Sequence, residues 1–415
     1  MINLNNFFSS FIPSIKFCIT NLLSLFFIPL TYLLPKGNII ILGTYSRNRY
    51  CENTKYLYEY LHNKKEFKVF WITDNKEIMN HLDQLSMNYI GFRSPLKMLW
   101  ICLRAKMVID SGTKPFDLFN ILSTQKTIKI TTLHGNGPKA NFSRFHPPDN
   151  NRIAIQQIES HYQFDFVNYP SEYSAIKVAR RNHLLPNEKI ISLGYPRCDN
   201  FFDEEYSKER LQKKEIVKTI CPKYIDGSKI IFYTPTWRPY DFCFPLNLMD
   251  GLDLDIFNSW LEDRNLYFFF SIHTAHYPEN IPNTFNRIIY INTDEMPLFD
   301  TNAFMLEVDI LLNDYATTST EFALLNRPQL FFMPDYDYYE VEKGFVEDYK
   351  ALLVGDEVKN FTQFKEILNQ ILLDEVKYIS KFAKNRNELL CKYYDLDDGS
   401  SSYRFYSFIK KILIS

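Results

Sequence analysis

The sequence predicts an α/β protein built from two Rossmann-like, doubly wound domains that face one another across a cleft, with a separate apolar segment ahead of them. Three observations support this. The chain has 415 residues, more than one hydrophobic core usually organises. Short continuous apolar runs alternate with helical segments, the pattern of parallel strands buried on both faces. The alternation begins again after the charged segment 204–218, so it occurs twice.

In the first half NIIIL (38–42), KVFWI (68–72), MVID (107–110), IKITTL (128–133), FVNY (166–169) and IISL (190–193) read as strands. TKYLYEYLH (54–62) reads as a helix between the first two, and 204–218 as one helix joining the halves. In the second half IIFYT (230–234), YFFFSIH (267–273), RIIYI (287–291), ILLN (310–313) and QLFFM (329–333) are the strand candidates. Residues 317–325 read as a helix, and 361–414 as mostly helical. The expected domains are 37–203 and 204–415.

Residues 1–36 stand apart. Up to Pro35 the only charged side chain is Lys16, and FCITNLLSLFFIPLTYLL (17–34) is strongly apolar. Its length reaches the lower end of what spans a bilayer. Pro13, Pro29, Thr20, Asn21 and Thr31 argue against a simple span, and no basic region precedes the run as in a signal peptide. In-plane or hairpin-like membrane association, a true span and a core-docking helix remain the alternatives, and attachment to the membrane fits best.

Composition excludes several classes. The net charge is -2 and no long basic block occurs, so a nucleic-acid partner is not expected. The seven cysteines are scattered without a C-x-x-C pair, which fits reduced thiols better than disulfides or structural zinc. Gly is scarce, with 12 residues, and no low-complexity linker interrupts the chain.

The unusual polar residues all follow strands. His134-Gly135 follows IKITTL, Ser171-Glu172 follows FVNY, and Gly194 to Arg197 follow IISL. Thr236 and Arg238 follow IIFYT, His273 ends YFFFSIH, and Asp314 follows ILLN. Open parallel sheets bind ligands at the carboxyl ends of their strands. The hydroxyl cluster Thr317-Thr318-Ser319-Thr320 sits where a strand gives way to a helix, so it suits a phosphate or else caps the helix. His134 precedes the turn Gly135-Asn136-Gly137, where backbone can approach a ligand closely, and its imidazole is either a base for an attacking hydroxyl or structural. Lys139 is a phosphate-neutralising or a solvated lysine. Arg180 and Arg181 close an expected helix (171–183), where they either meet anionic lipid or an acceptor's phosphate or complement the helix dipole. His273 and His276 have a spacing compatible with a metal, but no neighbouring carboxylate or cysteine completes a ligand set, so no metal or cofactor is expected.

These motifs together resemble the CDP-glycerol glycerophosphotransferase family, the teichoic-acid primases and polymerases. The resemblance runs from about Leu34 onward. GTYSRNRYCENTKYLYEYL (43–61) is similar to that family's early Gly turn, Asn and K-Y-L helix. LHGNGPK (133–139) is similar to W-H-G-T-P-L-K, and PSEY (170–173), GYPRCD (194–199) and YTPTWR (233–238) match S-x-E-Y, G-Y-P-R-x-D and A-P-T-W-R. The longest match is DILLNDYATTSTEFALLNRPQLFF (309–332), and DDGSSSYR (397–404) resembles D-G-x-S-S-x-R.

The resemblance implies a GT-B-like fold and attack by an acceptor hydroxyl on the β-phosphorus of a CDP-polyol, with CMP leaving. It implies His134 as general base and His273 as a second catalytic, phosphate-contacting histidine. Lys139, Arg238, Asp314, Thr317, Thr318 and Glu321 would bind the donor phosphates, with Gly135, Glu172, Arg197 and Thr236 completing the cleft. The implied partners are CDP-glycerol or CDP-ribitol as donor and a lipid-linked glycan as acceptor, at the cytoplasmic face of the cell membrane. Leu133 departs from the family's Trp, Ala316-Thr317 from its paired serines, Thr274 from the Pro after the later His, and Glu321 from its Asp. Two other functions remain: a GT-B glycosyltransferase using a nucleotide sugar in surface polysaccharide synthesis, and a non-catalytic membrane assembly partner.

Overall fold

Runs such as IIFY (230–233) and LYFFF (266–270) are apolar at every position because both faces of their sheet are covered. The computed structural model describes residues 29–30, 33–44, 47–112, 126–140, 163–180, 184–236, 245–272, 285–396 and 398–414. Its first sheet contains β1 (Ile39–Gly43), β2 (Lys68–Ile72), β3 (Tyr89–Ile90), β4 (Met107–Asp110), β5 (Ile128–Thr131), β6 (Phe166–Tyr169) and β7 (Ile190–Ser192), in the order β3-β2-β1-β4-β5-β6-β7. The second contains β8 (Lys229–Thr234), β9 (Leu266–Phe270), β10 (Ile288–Tyr290), β11 (Ile310–Asn313), β12 (Gln329–Phe331) and β13 (Asp356–Glu357), in the order β10-β9-β8-β11-β12-β13. Every pairing within the second sheet is parallel. In the first sheet β1 pairs in parallel with both β2 and β4, and β4 with β5.

The cores follow from the two-residue alternation of strands. Ile230 and Phe232 enter one buried cluster with Tyr267, Phe269 and Leu311. Ile231 and Tyr233 enter the opposite cluster with Phe268, Phe270 and Leu312. Polar side chains start the covering helices: Asp253 accepts from the Ile256 N–H ahead of Leu254–Asp263, and Asn360 from the Gln363 N–H ahead of Phe361–Leu373.

By internal contact the chain forms two compact units. One comprises Met1–His134, Glu159–Asn168 and Phe405–Ser415, the other Gly135–Ile158 and Tyr169–Arg404. The sequence places the boundary at 203/204 instead, and the difference has physical causes. Tyr195, Cys198 and Phe201 share the buried cluster of Ile230 and Phe232. The end of the last helix, Ser401–Ile414, belongs with the first unit: Tyr406 and Lys410 bond to Glu66, and the Phe408 ring meets Phe166 edge-on. The apolar segment expected at 1–36 falls mostly outside the described residues, among which no helix is long and apolar enough to cross a membrane.

Three expected elements are modified. The helix 204–218 is broken into Glu204–Lys213 and Glu215–Ile220 by Lys214, which is left-handed (φ 48°). Lys214 turns its ammonium inward, to the Glu307 carbonyl at 2.6 Å and to Asp309 Oδ2 at 2.8 Å. The expected helix 171–183 is one α-turn, Glu172–Ser174, followed by a π-helical stretch, Ala175–Arg180. Strand 128–133 stops at Thr131 because Leu133 has φ 56°.

Beside the helix break Glu307 is fully buried. Its carboxylate accepts the N–H groups of Ile216 (3.1 Å) and Val217 (2.9 Å) at the start of the second helix and pairs with Arg210. Glu307→Ala leaves these donors buried without their acceptor. We expect it to cost about 3–5 kcal/mol, measured by urea denaturation; a loss under about 1 kcal/mol would show that the pair is not structural.

Candidate active site

Parallel register decides which loops meet. In the first unit Asp110 pairs with Thr131, so the loops after β4 and β5 leave the sheet side by side. The Thr132 N–H donates to the Asp110 carbonyl (2.8 Å), the Thr131 hydroxyl to the Gly112 carbonyl (2.6 Å), and the Leu133 N–H to the Thr131 hydroxyl oxygen (3.1 Å). A leucine at positive φ is unfavourable in isolation. Asn53, fully buried on the helix Glu52–Lys64, donates its side-chain amide to the Leu133 carbonyl at 3.2 Å and holds that conformation.

His134 follows directly. Its Nδ1 lies 3.3 Å from the Ser111 carbonyl oxygen. A carbonyl only accepts, so this contact places the hydrogen on Nδ1 and leaves the lone pair on Nε2. The residue is exposed. A neutral imidazole in this tautomer can take a proton at Nε2.

Beneath it, Asp110 is completely buried. Its Oδ1 accepts from the Gly112 N–H at 2.9 Å, while Oδ2 and the neighbouring Ser111 hydroxyl have no hydrogen-bond partner among the described residues. Burial pushes the Asp110 carboxyl up to about 7, with the Gly112 and Ser111 backbone bonds pulling the other way.

The second unit contains the rest of the candidate residues. β8 and β11 are parallel neighbours with Thr234 opposite Asn313, so Thr236 and Asp314 emerge together. Asp314 is fully buried. Its carboxylate accepts from the Thr236 N–H (2.9 and 3.0 Å) and the Ala316 N–H (3.0 Å), and also from the Tyr315 N–H. It organises the loop. The hydroxyl cluster does not cap its helix: Thr317 makes no side-chain capping bond, and the Thr318 hydroxyl is bonded to Thr234 Oγ1 (2.8 Å) and Asn313 Nδ2 (3.2 Å).

Against this loop lies the segment Gly135 to Lys139. A Cβ on Gly135 would stand 2.7 Å from Thr317 Oγ1, so no larger residue fits without a shift. The Thr320 hydroxyl donates to the Asn136 carbonyl (2.8 Å), the Tyr195 hydroxyl to the Gly135 carbonyl (3.1 Å), and the Asn136 amide to the Tyr393 carbonyl (3.0 Å). Pro138 and Ala140 bond through their backbones to Val346 and Gly344. Lys139 Nζ reaches Thr236 Oγ1 at 3.4 Å. Gly135, Lys139, Thr236, Asp314, Thr317 and Thr318 therefore converge.

Glu321 and Arg197 meet each other in a buried ion pair, and the second Glu321 oxygen accepts from the Asn302 amide at 2.7 Å. Both carboxylate oxygens of Glu321 are thereby occupied by protein donors. Glu172 is exposed at the first turn after β6, and its charge acts on Asp395. His273, His276, Arg238, Arg181 and the Arg180 side chain lie outside the described residues. Sequence reasoning missed Asn53 and Asp110 as site residues. A carboxylate ending an otherwise apolar strand was the available signal for Asp110.

Two predictions follow from this geometry. Asn53→Ala removes the amide that holds Leu133, and we expect about 1–2 kcal/mol of destabilisation with a roughly tenfold or larger loss of turnover, read by denaturation and steady-state kinetics. Unchanged turnover would show that the Leu133 conformation does not position His134. For Asp110, the folded state holds the proton more tightly than the unfolded chain. Its stabilising contribution is therefore complete below about pH 4 and lost as pH rises through about 7. Asp110→Asn should gain on the parent protein across that window; parallel stability–pH curves would contradict the shift.

The model for the family described as CDP-Glycerol:Poly(glycerophosphate) glycerophosphotransferase matches residues 26–411. The chain is 28% identical over 377 residues to a teichoic acid poly(glycerol phosphate) polymerase of Bacillus subtilis (strain 168), covering 88% of this chain and 48% of that protein. It thus spans about half the length of that relative. It is 26% identical to the teichoic acid glycerol-phosphate transferase of Staphylococcus aureus (strain NCTC 8325 / PS 47), covering 89% of this chain and 92% of that protein. Its fold is similar to the wall teichoic acid polymerase TagF, with a TM-score of 0.73 at 20% identity over 99% of this chain and 98% of the other. With the family model spanning most of its length, this chain belongs to the CDP-glycerol:poly(glycerophosphate) glycerophosphotransferase family.

Proposed function

We propose that this protein transfers glycerol phosphate, or another polyol phosphate, from a CDP-polyol to a hydroxyl of a lipid-linked glycan or teichoic-acid-type polymer, releasing CMP. Family membership supports the donor class and the reaction. A poly(ribitol-phosphate) polymerase of Bacillus spizizenii (strain ATCC 23059 / NRRL B-14472 / W23), 26% identical over 348 residues, keeps CDP-ribitol as the other donor. The observation that carries the reading is the packing of the Gly135 to Lys139 segment on the Thr317–Thr320 loop, directly after a histidine whose Nε2 is the basic nitrogen.

In the proposed reaction the acceptor oxygen attacks the β-phosphorus and its proton passes to His134 Nε2. A new P–O bond forms to the acceptor, the bond between the β-phosphorus and the bridging oxygen breaks, and the pair stays with CMP. Lys139 and the Thr317 hydroxyl balance charge on the phosphate oxygens. Asp314, which holds the Thr236 and Ala316 N–H groups, shapes that loop. Arg197 and Glu321 support it from the buried side. His273 and Arg238 complete the proposed donor contacts. A lipid-linked acceptor fits a protein that works at the cytoplasmic face of the cell membrane.

CMP release from CDP-glycerol and CDP-ribitol, each tested separately with a membrane extract as acceptor source, decides the donor. We expect release from one donor, reduced at least ~100-fold in His134→Ala. No release from either, with nucleotide release from a nucleotide sugar instead, would replace this reading with a glycosyltransferase.

A further inference from the structure

We propose, on the reading of His134 as the base for the acceptor hydroxyl, that Asp110 is its positioning residue and acts through the peptide group between Ser111 and Gly112. That planar group carries both contacts. Its N–H, on Gly112, donates to Asp110 Oδ1 at 2.9 Å, and its carbonyl, on Ser111, lies 3.3 Å from His134 Nδ1. Carboxylate, peptide and imidazole therefore form one hydrogen-bonded chain that ends at the Nε2 lone pair.

The peptide is pinned on both sides. The Thr132 N–H donates to the Asp110 carbonyl (2.8 Å), and the Thr131 hydroxyl donates to the Gly112 carbonyl (2.6 Å). Asp110, Ser111, Thr131 and Thr132 are all fully buried. Away from water, a negative charge on Asp110 polarises the peptide it holds. The Ser111 carbonyl becomes a better acceptor for the Nδ1 hydrogen, and Nε2 becomes a stronger base.

A structural role does not account for a carboxyl here. Its Oδ2 has no hydrogen-bond partner among the described residues, and burying an ionisable group without a full set of partners costs stability. An asparagine would accept the same Gly112 N–H at lower cost. What the carboxyl adds is a change of charge, and burial pushes that change up to about 7. The neighbours decide its direction. Register sets Gly43 of β1 and Thr131 of β5 opposite Asp110, both uncharged. The Glu52–Lys64 helix brings the neutral Asn53 to the Leu133 carbonyl. Among the described residues the charge acting on Asp110 is that of Arg47, after β1, which favours the anion. Above about pH 7 His134 is thus backed by an anion, and below it by a neutral acid.

Asp110→Asn keeps the acceptor for Gly112 and removes the charge. It is also expected to be the more stable protein, so a lost rate is not a lost fold. CMP release is followed against pH for parent and variant. We expect similar kcat near about pH 6, where Asp110 is neutral in the parent, and a variant ~tenfold or more slower above about pH 8, with the donor KM unchanged. Imidazole nitrogen NMR on histidine-labelled protein, with His134→Ala assigning the signal, should show the hydrogen on Nδ1 in both and His134 deprotonating at lower pH in the variant. A rate ratio that stays constant across pH, or a His134 titration that does not move, would overturn the proposal. A parent that releases no CMP, with the His134 titration still moved by the substitution, would sink the transferase reading and leave the coupling of Asp110 to His134 standing.

Discussion

The close approach of the Gly135 to Lys139 segment to the hydroxyl loop after β11 is the constraint on which the second unit's candidate site depends. Gly135 meets Thr317 where a Cβ would stand 2.7 Å from its oxygen, and the Thr320 hydroxyl fastens the Asn136 carbonyl. The Gly135 to Lys139 segment has no helix of its own, and the hydroxyl cluster lies at the start of the short helix Thr318–Phe322. The Tyr195 hydroxyl donates to the Gly135 carbonyl, the Tyr393 carbonyl accepts from the Asn136 side-chain amide, and the Asp314 carboxylate accepts backbone N–H groups of the loops after β8 and β11. The Gly135 and Asn136 carbonyls thereby obtain partners that their own segment does not provide.

The first unit solves a related problem around His134. A strand that continued to Leu133 would carry the histidine onward in extended backbone. The left-handed Leu133 turns the chain, and the Asn53 amide and Thr131 hydroxyl compensate for that conformation. The imidazole then rests on the Ser111 carbonyl, which sets its tautomer. The backbone before the histidine is thereby fixed while the imidazole stays exposed.

The arrangement also shows why several acidic residues in the matched motifs differ in role. Asp314 and Glu321 lie in one continuous motif, yet both direct their oxygens to protein donors, Asp314 to backbone N–H groups and Glu321 to Arg197 and Asn302. Carboxylates are poor phosphate ligands without a cation, but as acceptors of several N–H groups they fix the loop around them. Position in a motif thus marks the loop, while the hydrogen bonds identify what each side chain does in it.

The sequence by itself determined the two parallel sheets and most of their strands, though not the short edge strands β3 and β13. Runs such as MVID, IIFYT and ILLN form buried parallel strands because every position is apolar or ends the run. It also placed His134, Thr236 and Asp314 at carboxyl strand ends. Only the tertiary structure decided the rest. Lys214 breaks a helix because Glu307 and Asp309, more than ninety residues away, offer buried acceptors. Asn53 becomes a support for Leu133, and Asp110 becomes a buried carboxyl, because register sets β4 beside β5 and a helix packs over them. Local pattern records burial and period. It does not record which distant donor will stand opposite a given acceptor, and that pairing is what converts strand ends into a site.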